Sequence, residues 1–310
     1  GTVTGPTPTL NYTLKIPDIA PLGAQINGAI TVNGTAVQQN QGWQIDTGMT
    51  GLSGTRAQLN GLVRTDGTLD LATVGTAPLA LANPFISPRN IQGQANFDIT
   101  LKGSPSLASL SGAITTSNAR FSDPNLQTSL NEITARADLN RGRAVLDLSA
   151  AVSSGGQITL RGPISDLAVT NFADLTVGLN SVKLIDPTLY QTILDGVLSV
   201  RGPLSGGANI GGQINVGETN IQVPSSQSSG FAIVPQITHI NTSAATRNTL
   251  RRAGLTTTAQ TSGTKGSGIS YGLDVDINAP SRIYVRGRGL DAELGGSLSL
   301  RGRTDQVISS

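Results

Sequence analysis

A few groups of residues in this chain carry the side chains or backbone that chemistry would need. His239 is the single histidine and there is no cysteine, so neither a zinc site nor a nucleophile–base pair can assemble around it, and it is expected to be structural. Asp274 and Asp276 are two residues apart, as are Asp291 and Glu293. On a strand that spacing puts both carboxylates on one side, where they can converge on a cation. The same spacing suits a polar outer face salted by Arg282, Arg286 and Arg288 from neighbouring strands, which is the expected arrangement. Gly287-Arg288-Gly289 can aim backbone N–H groups at an anion, but no helix follows it. Its glycines are expected to kink or bulge a strand. No residue is expected to be catalytic, and no metal or cofactor is implied.

The elements that position these groups alternate in type. Leu273, Val275 and Ile277 interleave with Asp274, Asp276 and Asn278, which is the period of a strand with one apolar and one wet face. Pro280 is expected to break the run. Ile283 and Val285 resume the apolar side while Tyr284, Arg286 and Arg288 point away, and Leu298 and Leu300 continue it after Gly295-Gly296.

The same alternation runs through the rest of the chain. Leu10, Tyr12, Leu14 and Ile16 lead to Pro17, and Ile30 and Val32 lead to Asn33-Gly34, a dipeptide that suits a hairpin turn. Trp43 and Ile45 share a face, and Thr65-Asp66-Gly67 turns the chain. Phe97, Ile99 and Leu101 run into Lys102-Gly103. From there an internal repeat appears: residues 101–124 resemble 200–224, with shorter echoes at 160–170 and 298–303. Each echo reads as a strand that leaves the sheet at a basic-Gly pair. Ile158 with Leu160, and Leu198 with Val200, place further aliphatic pairs beside these echoes. Asn140-Arg141-Gly142 reads as a turn between two alternating runs. Irregular spacing excludes a solenoid with coils of fixed length. The strands outnumber what a twisted open sheet usually holds.

Some stretches depart from the pattern. Residues 77–92 suit either one helical turn or a buried strand, with two prolines interrupting. Asp186-Pro187 can cap a short helix over 187–196, but Tyr190, Thr192, Leu194, Gly196, Leu198 and Val200 continue period 2, so strand is expected. A serine N-cap at Ser243, arginines in the last turn and Gly254 predict a short helix near 244–253. The Gly/Ser/Thr-rich run 256–268 is expected to be a flexible loop.

Composition narrows the class. The chain has 310 residues and is 37% hydrophobic but only 3% aromatic, so its apolar surface is almost all Leu, Ile, Val and Ala. A net charge of +2 with basic and acidic residues interspersed argues against nucleic acid as partner, since that needs a concentrated basic face. No run of about 18 apolar residues exists. The first residues, GTVTGPTP, lack a methionine and a signal-like segment, which is expected of a piece of a larger protein.

The wording APSRIYVRGRGLDAELGGSLSLRG at 279–302 resembles the APxRIxVRGRGLDAELGG signature of the TamB C-terminal domain family. Arg286, Gly287, Arg288, Gly289, Leu290 and Asp291 form its centre. Softer similarity extends over most of the chain. The resemblance implies one continuous region over 1–310, an all-β, elongated, curled antiparallel sheet of the β-taco type with an apolar-lined groove. It implies a periplasmic protein, anchored in the inner membrane by a segment outside these residues, that works in outer-membrane biogenesis with a TamA-like outer-membrane barrel. Phospholipid and outer-membrane protein clients are the implied partners.

An aliphatic face of this kind suits two architectures, a closed packed core and a trough that lipid fills, and period-2 patterning serves both. The family resemblance favours the trough. Groove candidates are then Phe97, Ile99, Leu101, Ile158, Leu160, Leu198, Val200, Leu273, Val275, Ile277, Ile283, Val285, Leu298 and Leu300. The alternatives are a chaperone that templates strands of outer-membrane proteins at its open edges without transporting lipid, and a passenger- or adhesin-like solenoid with a dry core.

Overall fold

A computed structural model describes residues 8–18, 28–124, 128–223 and 270–305. Alternating β-rich segments make seventeen strands, all joined in one sheet. The first five are β1 (Thr9–Ile16), β2 (Ile30–Gln39), β3 (Gly42–Gly51), β4 (Thr55–Arg64) and β5 (Leu69–Pro78). A 3-10 turn (Leu79–Ala82) and a four-residue helix, α1 (Asn83–Ile86), follow. Next come β6 (Asn90–Gln92), β7 (Gln94–Gly103), β8 (Leu110–Asp123), β9 (Thr128–Asn140) and β10 (Arg143–Val152). The last are β11 (Gln157–Ser165), β12 (Phe172–Asp186), β13 (Tyr190–Pro203), β14 (Asn209–Val216), β15 (Thr219–Gln222), β16 (Gly272–Gly287) and β17 (Leu290–Arg303).

Neighbours in the chain pair antiparallel, with two breaks in the rule. β6 and β7 share one place in the sheet, both pairing with β8, while β5 pairs with β7. β14 and β15 share another place, antiparallel to β13 and parallel to β16. The sheet is therefore mixed, though mainly antiparallel. Among the described residues β1 pairs only with β2, and β17 only with β16, so both ends of the sheet are open edges.

Register decides what each face carries. Leu148 lies opposite Leu160, Leu160 opposite Val177 and Val177 opposite Leu198; the row continues through Gly212 and Val275 to Leu300. Successive side chains of a strand point to opposite faces, so one such row fixes the whole apolar side. A parallel row runs from Phe97 through Ile114 and Ala137 to Leu146.

Bulges bend the strands without losing this side. The register shifts between Thr116 and Ala119 in β8, between Leu179 and Val182 in β12, and between Ala279 and Ile283 in β16. Asn118, Ser181 and Arg282, at these three places, have positive φ, as bulged residues often do. Each displaced backbone group needs a new partner: Ser181 N donates to Asp195 Oδ1 at 2.7 Å, and Arg282 N donates to Glu293 Oε1 at 3.1 Å.

Several expectations are corrected by these strands. Asn33-Gly34 is not a turn but the middle of β2, opposite Thr13 and Tyr12. Gly34 is needed there because a Cβ would come within 2.8 Å of the Tyr12 hydroxyl and 2.7 Å of Thr47 Oγ1, and these two side chains hydrogen-bond to each other across it. Pro280 does not end its strand, since the bulge at 279–283 absorbs a residue without an N–H. Residues 77–92 split between the end of β5, a 3-10 turn, one helical turn and β6. The 187–196 stretch is a turn followed by β13, as the alternation indicates. The helix expected near 244–253 and the loop expected at 256–268 lie outside the described residues, as does His239.

Candidate functional site

Every groove candidate falls on one face. Phe97, Ile99 and Leu101 lie opposite Ile114, Gly112 and Leu110. Ile158 and Leu160 lie opposite Leu179 and Val177. Leu198 and Val200 lie opposite Gly212 and Ile210, which pair in turn with Val275 and Leu273. Ile277 lies opposite Leu298, Val275 opposite Leu300, Ile283 opposite Leu294 and Val285 opposite Ala292.

This face is not a packed core. No large side chain among the described residues is fully buried, and eight of the thirteen buried hydrophobics are alanines. Larger aliphatics on the same side stay open: Leu14 is 52% exposed, Leu294 53% and Leu298 43%. A closed interior would have brought such side chains into contact with six or more neighbours and removed them from water. The small cluster of Ala119, Ile133 and Ala150, with Leu79, Phe121, Leu130 and Leu148 against it, is a local exception, and Leu175, Val182 and Val275 are buried elsewhere on the face. Beside it lies a cavity of about 420 Å³ with an almost wholly aliphatic lining.

Of the groove candidates Leu160 lines that cavity, and the others lie elsewhere on the face. Leu79, Ile91, Ala119, Phe121, Leu130 and Ile133 line it as well, and none of them is among the groove candidates read from the alternation. The bulge at Asn118 shifts the phase, so that Ile114 and Thr116 are followed on the same side by Ala119 and Phe121. A spacing of three inside an otherwise alternating strand is the signal that finds them.

Charge is confined largely to the other face. Asp147 and Arg161, Asp174 and Arg201, and Asp274 and Arg301 are directly opposed on adjacent strands, each with a contact of 3.1 Å. Asp276 is 3.9 Å from Arg301 and accepts a hydrogen bond from Ser299, so the Asp274–Asp276 pair is held by a cation of the protein itself. Asp138 has its pKa pulled below the usual carboxylate range by hydrogen bonds from Arg136. Among the described residues no group of three or more His, Cys, Asp or Glu is placed to hold a metal.

The signature residues build a turn. Arg286 stacks over Tyr284 at 5.0 Å and donates to Asp291 at 3.3 Å. Arg288 and Gly289, at φ 51° and 82°, occupy the two central positions of the hairpin between β16 and β17, where positive φ matches the strand twist. A Cβ on Gly287 would meet Val223 O at 2.4 Å, where the Val223 N–H donates to Arg286 O. Leu290 is 50% exposed opposite Gly287.

The outward charge ladder and the uncovered aliphatic face make a surface suited to apolar cargo. Among the described residues no helix is long and apolar enough to cross a membrane. No curated relative and no solved structure matches the chain. The TamB C-terminal domain family matches residues 143–310, from the first residue of β10 onward, and the sheet continues without interruption upstream of that match. The match covers more than half of the chain, which therefore belongs to the TamB family of the outer-membrane translocation and assembly module.

Proposed function

We propose that this chain conducts phospholipid from the inner to the outer membrane along its apolar face, across the periplasm, and assists outer-membrane barrel assembly with a TamA-like partner. It acts by sheltering cargo, with no catalytic residue. The observation that carries this reading is an apolar face continuous in register from β5 to β17, most of whose large side chains remain partly exposed. Moving roughly 30 acyl methylenes into water costs on the order of 24 kcal/mol, at about 0.8 kcal/mol each. A wall of Leu, Ile and Val removes most of that cost.

Val285→Lys tests the reading. Val285 is half-buried on the face, so a lysine there folds with its stem along apolar surface and its charge in the groove. Phospholipid co-purifying with the protein, measured by native mass spectrometry, is expected to fall at least tenfold, and unchanged loading would overturn the conduit. The outer edges of β1 and β17, which among the described residues pair only with β2 and β16, favour a second reading, strand addition by an incoming barrel protein. Proline at Ser297 and, separately, at Leu298 removes N–H groups pointing to opposite sides of β17. Loss of barrel assembly from one of the two, with lipid loading intact, would favour that reading.

A further inference from the structure

Near the middle of the described residues the apolar face curls around a half-open space. Around the bulges at Asn118 and Glu132 the halves of β8 and β9 bend together and form the cavity of about 420 Å³ described above. Ile114 and Leu146 wall it before the bulge, Phe121 and Leu130 beyond it, and Leu79 leans in from the 3-10 turn. Ala119, 0% exposed, sits at the bend. A dry cavity of ~150 Å³ holds benzene. On that scale this one holds roughly 17 carbons, enough for one acyl chain and too few for two.

Beyond Phe121 and Leu130 the same face turns polar, because the next opposed pair is Asp123 and Thr128. Asp123 is nearly buried and accepts a hydrogen bond from Arg89 Nε at 2.7 Å, while the Arg89 side chain stays 49% exposed. Ser122, Ser129 and Ser153 join Asp123 and Thr128 in a recess of about 380 Å³. Apart from Asp186, which caps a turn, Asp123 is the carboxylate that strand register places on this face among the described residues. An apolar chamber followed, one pair further along the strands, by a recess of hydroxyls and by the half-exposed guanidinium held on Asp123 has the polarity of an amphiphile.

We propose that the chamber and recess together seat a single phospholipid, with one acyl chain under Leu79 and the phosphate-bearing head at Arg89. This rests on the conduit reading and gives it a resting place of fixed size. The second chain lies along the open groove past Leu160. Lipids then advance one at a time through this point, and acyl length is measured here.

The test uses the unmodified protein and lysophospholipids that carry a diazirine at the end of the acyl chain, with labelled residues mapped by mass spectrometry. Labelling of the chamber is expected to rise roughly fourfold per methylene and to level off near 16–18 carbons. Longer chains are expected to place their label outside it. Ala135→Leu, whose three added carbons partly fill the chamber on the same scale, is expected to lower that ceiling by about three carbons while labelling near Ile277 persists. Arg89→Gln is expected to weaken lysophospholipid labelling by roughly tenfold and leave a fatty alcohol of equal length unaffected. Labelling spread evenly along the groove, with no ceiling in chain length, would overturn the seat and leave the conduit standing. No labelling at any position would overturn both. If the filled variant does not fold, the length ceiling in the unmodified protein decides.

Discussion

Asp174 and Arg201 face each other at directly opposed positions of β12 and β13, the guanidinium spanning both carboxylate oxygens at 3.1 Å. Asp147 with Arg161 and Asp274 with Arg301 repeat the arrangement, and Asp70 with Lys102 repeats it at 3.8 Å. In every case a glycine follows the basic residue, on the apolar side and with positive φ: Gly202, Gly162, Gly302 and Gly103. The basic-Gly echoes of the sequence are therefore cross-strand clamps, charge outward and space inward. A slip of one residue would turn the whole aliphatic row to solvent, so a directly opposed pair marks the register that keeps it inside.

The clamps are exposed, and their contribution to stability is small. Asp174→Asn is expected to cost less than about 1 kcal/mol at low salt and almost nothing near 1 M salt. Urea unfolding at two ionic strengths measures this. A loss that persists undiminished in high salt would show that the pair acts through something other than exposed charge.

How much of this was legible depends on phase. Leu273, Val275 and Ile277 were readable because an uninterrupted strand keeps period 2, and the register then brought them to the same side as Leu198 and Leu160. Phe121 and Leu130 were hidden because Asn118 and Glu132 insert residues that shift the count. Asn33-Gly34 misled for another reason. The dipeptide has turn chemistry, but the contact between Tyr12 and Thr47 demands a glycine at that spot, and local propensity yields to such a tertiary demand. The difference between trough and packed core was illegible in principle, since both need the same alternation and differ only in how far apart the walls stand.

Gly34→Ala follows from that contact. The added methyl would lie 2.6 Å from Asp46 O as well as against Tyr12 and Thr47. Because the nearest atom is backbone, β2 and β3 must separate, at an expected cost of about 1–3 kcal/mol. Thermal unfolding reads the loss. Combining the change with Tyr12→Ala is expected to recover only part of it, and full recovery would show that the side chain alone is the obstacle.

Asp186 gives a pH dependence of known sign. Its carboxylate accepts hydrogen bonds from the Thr188 hydroxyl at 2.7 Å and the Thr188 N–H at 2.9 Å, and these, the hydroxyl first, hold its pKa below the ordinary value. A carboxylate with a depressed folded-state pKa stabilises the fold above its unfolded pKa of about 3.9, and this is lost as pH falls through the folded value. Asp186→Asn is therefore expected to be less stable than the parent at pH 7 and to converge with it below pH ~4. Parallel denaturation curves across that range check the point, and a gap that widens in acid would refute it.

The bulge at Ser181 links the backbone to the groove. Leu179 and Val182 are three residues apart, yet their partners Gly196 and Leu194 are two apart, so one residue of β12 is extra. Deleting Ser181 restores plain alternation and leaves both Val182, 3% exposed, and Leu184 on the apolar side. The shortened strand is thus expected to fold cooperatively. What it loses is the local bend, since bulges supply the added twist. Phospholipid loading is expected to fall while urea unfolding stays a single transition. Asp195→Ala, which removes the acceptor of the Ser181 N–H and hydroxyl, is expected to raise hydrogen exchange at Ser181 and leave loading near the parent level. If the deletion loaded lipid as well as the parent, the bend would have no part in shaping the groove.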